Sequence, residues 1–178
     1  TQSEQERIAR INLRVKEGLE KFGTAEHPVF GKIYVYETDG LGHCNLMDDA
    51  NVPSLLSLPY LGYCTKDDKI YRNTRRFILS KHNPYYFSGK AASGVGSPHT
   101  PDRYIWHIGI VMQLLTSCDR EERKRCFETL VSTDADCLVM HEGFHCDDPK
   151  EFTRPWFCWA NTLFALAVAE MKAEGEIQ

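Results

Sequence analysis

The stretch YIWHIGIVMQLLTS, residues 104–117, constrains the fold of this chain more than any other. It is apolar on most faces, so as a helix it has no side to give to water and must be enclosed by protein. DREERKRCFETLVST, 119–133, follows at once with a charged side and an apolar side, which suits an outer helix packed on an inner one. Residues 3–22 predict another amphipathic helix, with Ser3 as N-cap, Glu6 three residues on, Ile8, Ile11, Val15, Leu19 and Phe22 along one face, and Gly23 ending the run. DDKIYRNTRRFILS, 67–80, predicts a helix with Ile70, Phe77 and Ile78 inward and its basic residues mostly outward. A last helix, about 155–171, opens at Pro155 and carries Trp156, Trp159, Leu163, Phe164 and Val168.

The connections are of two kinds. KIYVYETDG, 32–40, reads as a short strand closing in a turn at Asp39-Gly40, and Pro53 fits the first turn of a short helix through Leu61. NPYYFSGKAASGVGSPHTPDR, 83–103, is rich in glycine, proline and aromatics and reads as a structured loop. Inner and outer helices joined alternately by short turns and long polar-aromatic loops predict a mainly α fold of the α/α-toroid kind, or part of one. Loops gathered at one end of such an array are where a site is built.

Composition narrows the partners. With 178 residues, 42% of them hydrophobic, the chain can bury the core of one domain. A net charge of −4 and the lack of a basic run interleaved with aromatics argue against nucleic acid. The longest apolar stretch, near LFALAVAEM, is too short to span a bilayer. The seven cysteines include no C-x-x-C pair, their odd number leaves a thiol unpaired, and there is no N-x-S/T sequon with an acceptable middle residue; these points lean toward a reducing, intracellular compartment. The chain opens TQSEQER without an initiator methionine, so the lack of a leader here carries no information about a longer parent.

HEGFH, His141 to His145, holds the sharpest chemical question. Read as H-E-x-x-H it is a zinc-hydrolase signature, which needs both histidines one turn apart on a helix. Gly143 inside the motif and Pro149 just after it oppose a helix. The alternative is a metal-free glycosidase in which Glu142 is the base that activates water, with an acid about 6.5–9.5 Å away across the bond. Asp48, Asp49 and Asn51 of DDAN have two readings as well: capping of the following segment, or hydrogen bonding to vicinal sugar hydroxyls. His99 is held between two prolines in SPHTP, which fits a ligand site or a turn histidine bonded to backbone. Tyr85, Tyr86, Phe87, Trp106, Trp156 and Trp159 could stack on a sugar face, although Trp156 and Trp159 at helical spacing read first as core.

Six ordered segments then resemble one family. YVYETDGLG, MDDANVPSLLSLPYLGY, IYRNTRRFILS, NPYYFSGKAASGVGSPHTP, MHEGF and FTRPWFCWANTLFA, together running from about Tyr34 to Ala165, resemble the C-terminal half of glycoside hydrolase family 125. The resemblance implies an (α/α)6 barrel and an exo-acting, metal-independent, cofactor-free α-mannosidase that removes terminal α-1,6-linked mannose with inversion. It gives the general base to Glu142 and makes Asp48, Asp49, Asn51 and His99 candidate sugar contacts. Asp39, Ser97, Trp106 and His141, which lie in or beside the same segments, complete the candidate set. Two departures stand out. The family is more than twice as long and its general acid lies in the N-terminal half, so the expectation is one C-terminal portion of the barrel domain over 1–178, completed by its own N-terminal half or by another copy, binding a mannose-containing oligosaccharide and in isolation inactive or a binding remnant. The second is local: Gly143 and His145 stand where the family more often has Ser and Asp or Asn.

Overall fold

A computed structural model describes residues 2–177. Its centre is α3 (His107–Leu115), in which every residue except Gln113 is buried. Each large aliphatic side chain enclosed in this way contributes about 1.5–3 kcal/mol. Two helices cover α3: α4 (Arg120–Ser132) and α5 (Cys158–Ala173). The inner and outer pairing read from the sequence is therefore present. The inner helix begins three residues late, because Tyr104–Trp106 form a strand.

The remaining elements surround this centre. α1 (Gln2–Phe22) leads into a hairpin of β1 (Thr24–His27) and β2 (Gly31–Tyr34), and α2 (Lys69–Ile78) packs on β2. The strand expected over 32–40 is split, since β3 (Glu37–Thr38) leaves β2 to pair with β4 (Cys44–Asn45). β5 (Tyr86–Ser88) and β6 (Ser93–Val95) form a hairpin inside the long loop. β7 (Tyr104–Trp106), β8 (Gly143–His145) and β9 (Phe152–Thr153) make a three-stranded antiparallel sheet, with Trp106 opposite Gly143 and Gly143 opposite Thr153. A bridge from Gly96 to Ile105 attaches the loop to this sheet.

Several expectations need correction. Residues 53–61 form turns and no helix: Asp48 accepts hydrogen bonds from the N–H groups of Leu55 and Leu56, Ser57 Oγ accepts from Ser54 N–H, and these side chains replace helical bonding. The last helix starts at Cys158, so Pro155, Trp156 and Phe157 lie before it, and Trp156 and Trp159 are 62% and 41% exposed instead of core. Ser3 lies within α1 and not ahead of it. α1 is a helix as expected, yet none of its residues is buried, and Ile8, Ile11, Leu13 and Val15 are each at least half exposed. Arg123, on the charged helix α4, is 3% exposed; Glu170, Glu174 and Glu176 surround it at 3.2, 2.8 and 2.8 Å and tie α4 to the end of α5. All seven cysteines are free thiols. No helix among the described residues is long and apolar enough to cross a membrane.

Candidate active site

Residues 140–142 run between two frameworks that fix their backbone. On one side, Asn161 of α5 accepts from Met140 N–H at 3.0 Å and donates to Met140 O at 2.9 Å, and Phe157 N–H donates to the same carbonyl. On the other, His141 N–H donates to Nδ1 of His107 at 3.0 Å. Glu142 N–H donates to Thr153 O at 3.2 Å, which carries the β8–β9 pairing one residue further. With its peptides held this way, the Glu142 side chain is 11% exposed, and Arg154 Nη1 lies 3.3 Å from Oε1.

His107 is a residue that sequence reasoning did not single out. It is fully buried, and burial pushes its imidazole down to about 4, so the ring is neutral near pH 7. His107 Nδ1 lies 3.0 Å from both the N–H and the carbonyl oxygen of His141, and Nε2 lies 3.1 Å from Thr133 Oγ1, whose hydroxyl is within reach of Thr129 O. This chain of contacts ends on the peptide that leads into Glu142. A buried histidine at the start of an apolar helix was the available signal.

In the HEGFH segment Gly143–His145 are strand and His141 and Glu142 lead into it without helix, which removes the one-turn spacing that a zinc site needs. Both ring nitrogens of His141 face backbone carbonyls, Pro155 O at 2.7 Å and Asp134 O at 3.1 Å, and its ring stacks on Phe152 at 3.9 Å. His141 is therefore completely buried, with both ring nitrogens already placed against backbone carbonyls. Among the described residues, His145, Cys146 and Asp147 bring possible metal ligands close together. That trio is already committed: Asp147 accepts from Lys90 N–H and from Arg103 at 2.6 Å, which hold its carboxyl below the usual range, and burial pushes the Cys146 thiol up.

The other candidates separate by geometry. Ala50 N–H donates to Gly96 O, Gly96 bridges to Ile105, and Trp106 pairs with Gly143, so the DDAN and SPHTP loops reach the base through one continuous ladder. Ser97 Oγ accepts from His99 N–H and shapes a turn that leaves His99 exposed. Trp106 is 2% exposed, donates from Nε1 to Thr100 Oγ1, and stands between His99 and Phe157 as the backing of the site, so it is not a stacking surface. Asp49 accepts from both the backbone and the side-chain amide of Asn51, and so orients it. Asp39 is spent on its own exposed turn, with Leu41 N–H, His43 N–H and the His43 ring, and lies outside this ladder.

Asp48 is fully buried, and burial pushes its carboxyl up to about 7. That value would suit a general acid, but both oxygens face Leu55 and Leu56 N–H at 2.8 and 2.9 Å, so they cannot reach a glycosidic bond. Its work is the cap that sequence reasoning set against sugar binding. Well-formed grooves elsewhere follow α2 and α4 around the Arg75–Glu122 ion pair, which ties α2 to α4.

The helix-rich scaffold thus holds the nearly buried Glu142 carboxylate beside Arg154, with Trp106 paired opposite the neighbouring Gly143. The chain belongs to glycoside hydrolase family 125, the metal-independent α-mannosidases, whose family profile matches residues 1–169. A Schizosaccharomyces pombe relative, the meiotically up-regulated gene 157 protein, is 47% identical over 169 residues, covering 92% of this chain and 33% of that protein. A metal-independent α-mannosidase of Streptococcus pneumoniae, solved in a non-productive complex with α-1,6-mannobiose, is 48% identical with a TM-score of 0.89, covering 91% of this chain and 38% of the other. The chain thus spans about a third of the length of these proteins.

Proposed function

We propose that the complete protein is an exo-acting α-1,6-mannosidase working with inversion, and that residues 1–178 form one portion of its (α/α)6 toroid. The observation that carries this reading is Glu142: a residue 8% exposed, its carboxylate engaged through one oxygen, in a chain 48% identical to an α-mannosidase solved with α-1,6-mannobiose. In the reaction, Glu142 takes a proton from a water as that water attacks the anomeric carbon. The glycosidic oxygen leaves from the opposite face and is protonated by an acid that this chain does not supply. Asn51 and His99 are the polar contacts to sugar hydroxyls, with Asp49 and Ser97 holding them in place, and Trp156 and Trp159 offer exposed rings for stacking. No step uses a metal.

Hydrolysis of α-1,6-mannobiose by the full-length protein, followed by proton NMR, tests this reading. It predicts β-mannose as the first product and no loss of rate with chelator. An α-anomer released first, or activity abolished by chelator and restored by zinc, contradicts it.

A further inference from the structure

Among the described residues, Arg154 is the cation that meets Glu142, and three features set it apart. It directly follows Thr153, whose carbonyl accepts the Glu142 N–H and which pairs with Gly143, so strand register fixes its starting point beside the carboxylate. Its φ is +45°, in the left-handed region, although it is neither glycine nor asparagine and it precedes Pro155, a position normally pushed to extended backbone. Such a conformation persists only where the surroundings hold it. Here the His141 ring sits on Pro155 O at 2.7 Å, Phe157 N–H is bonded to Met140 O, and the guanidinium lies 5.5 Å from the Phe157 ring centre. The Arg154 side chain is two-thirds exposed while the Glu142 side chain is 11% exposed, so a charge is brought in from the water side onto one oxygen of a nearly buried acid.

We propose that Arg154 is the positioning residue of the general base. It holds the Glu142 carboxylate through Oε1, presents a positive charge to the ionised form that a base must have, and leaves Oε2 free to take the proton of the attacking water. This rests on the reading of Glu142 as the base.

The test uses the full-length protein with Arg154→Asn, which tolerates left-handed backbone, and Arg154→Lys, which keeps the charge. Arg154→Asn is expected to lower kcat on α-1,6-mannobiose about 10- to 100-fold with KM changed by less than about threefold, and Arg154→Lys to recover part of the loss. In a Glu142→Gln background the same Arg154→Asn change should alter the residual rate by less than about twofold, because its target is gone. An unchanged kcat, a rise in KM alone, or an equal loss in the Glu142→Gln background overturns the proposal. If the wild type turns over no α-mannoside, the mannosidase reading fails, and Arg154 is judged by crystal structures instead. A Glu142 carboxylate displaced in Arg154→Asn supports the proposal, and one that keeps its rotamer and place overturns it.

Discussion

Glu142, His107 and Asp48 are three buried ionisable residues with three different tasks, and two of them tie stability to pH in opposite directions. The His107 imidazole is pushed down to about 4 from an ordinary 6.5 by burial. Between those values the unfolded chain takes a proton that the folded chain refuses, so this residue withdraws stability as pH falls, by at most about 3 kcal/mol. The Asp48 carboxyl is pushed up to about 7 from 3.8, so the folded chain keeps a proton that the unfolded chain releases, and this residue adds stability as pH falls through that window. Urea midpoints at pH 7 and pH 4 separate them: relative to wild type, Asp48→Asn should become less stable on acidification and His107→Gln more stable. Parallel slopes for the two variants would refute the assignment. Glu142 was legible in the sequence because a short motif within six matching segments named it. Arg154 was not, since a positive φ leaves no local pattern, and His107 offered only the faint signal of a histidine opening an apolar helix.

α3 shows what sequence patterning reveals about elements, and the 53–61 segment shows where it stops. An all-round apolar run has only one stable home, so the central helix was readable. The turns at 53–61 depend on Asp48 supplying acceptors from five or more residues away, and competition of that kind is invisible to local propensity. The β7–β8–β9 sheet was missed because its strands are two or three residues long and come from distant parts of the chain. Two predictions belong here. Arg123→Ala leaves Glu176, itself mostly buried, with only the longer 3.6 Å contact to the exposed Arg120, and should lower stability by about 3 kcal/mol in denaturant unfolding. A Cβ at Gly143 would lie 2.9 Å from Trp106 Cδ1, too close to fit unmoved. Gly143→Ala should therefore cost about 1–3 kcal/mol and shift the tryptophan fluorescence.

Taken whole, the chain carries a well-packed centre and an unfinished exterior. α1 exposes Ile8, Ile11, Leu13 and Val15, and Trp156 and Trp159 are exposed, while the matched relatives are about three times as long. That apolar surface is compatible with the proposed toroid; helix pairing in the sequence suggested such a fold or part of one, but an amphipathic pattern does not say what covers it. Residues 1–178 alone are expected to bind α-mannosides yet turn them over at least about 100-fold more slowly than the full-length protein, because on the proposed reading the general acid lies outside them. Comparable kcat values for the two would show that the acid lies within this chain. The central claim is that Glu142 is the base, and the most direct measurement is kcat of full-length Glu142→Gln on α-1,6-mannobiose beside the wild type, with mannobiose affinity and circular dichroism measured on both. A fall of about 10²- to 10⁴-fold with affinity and fold retained is the predicted result. A variant that keeps kcat within about tenfold of the wild type would contradict it.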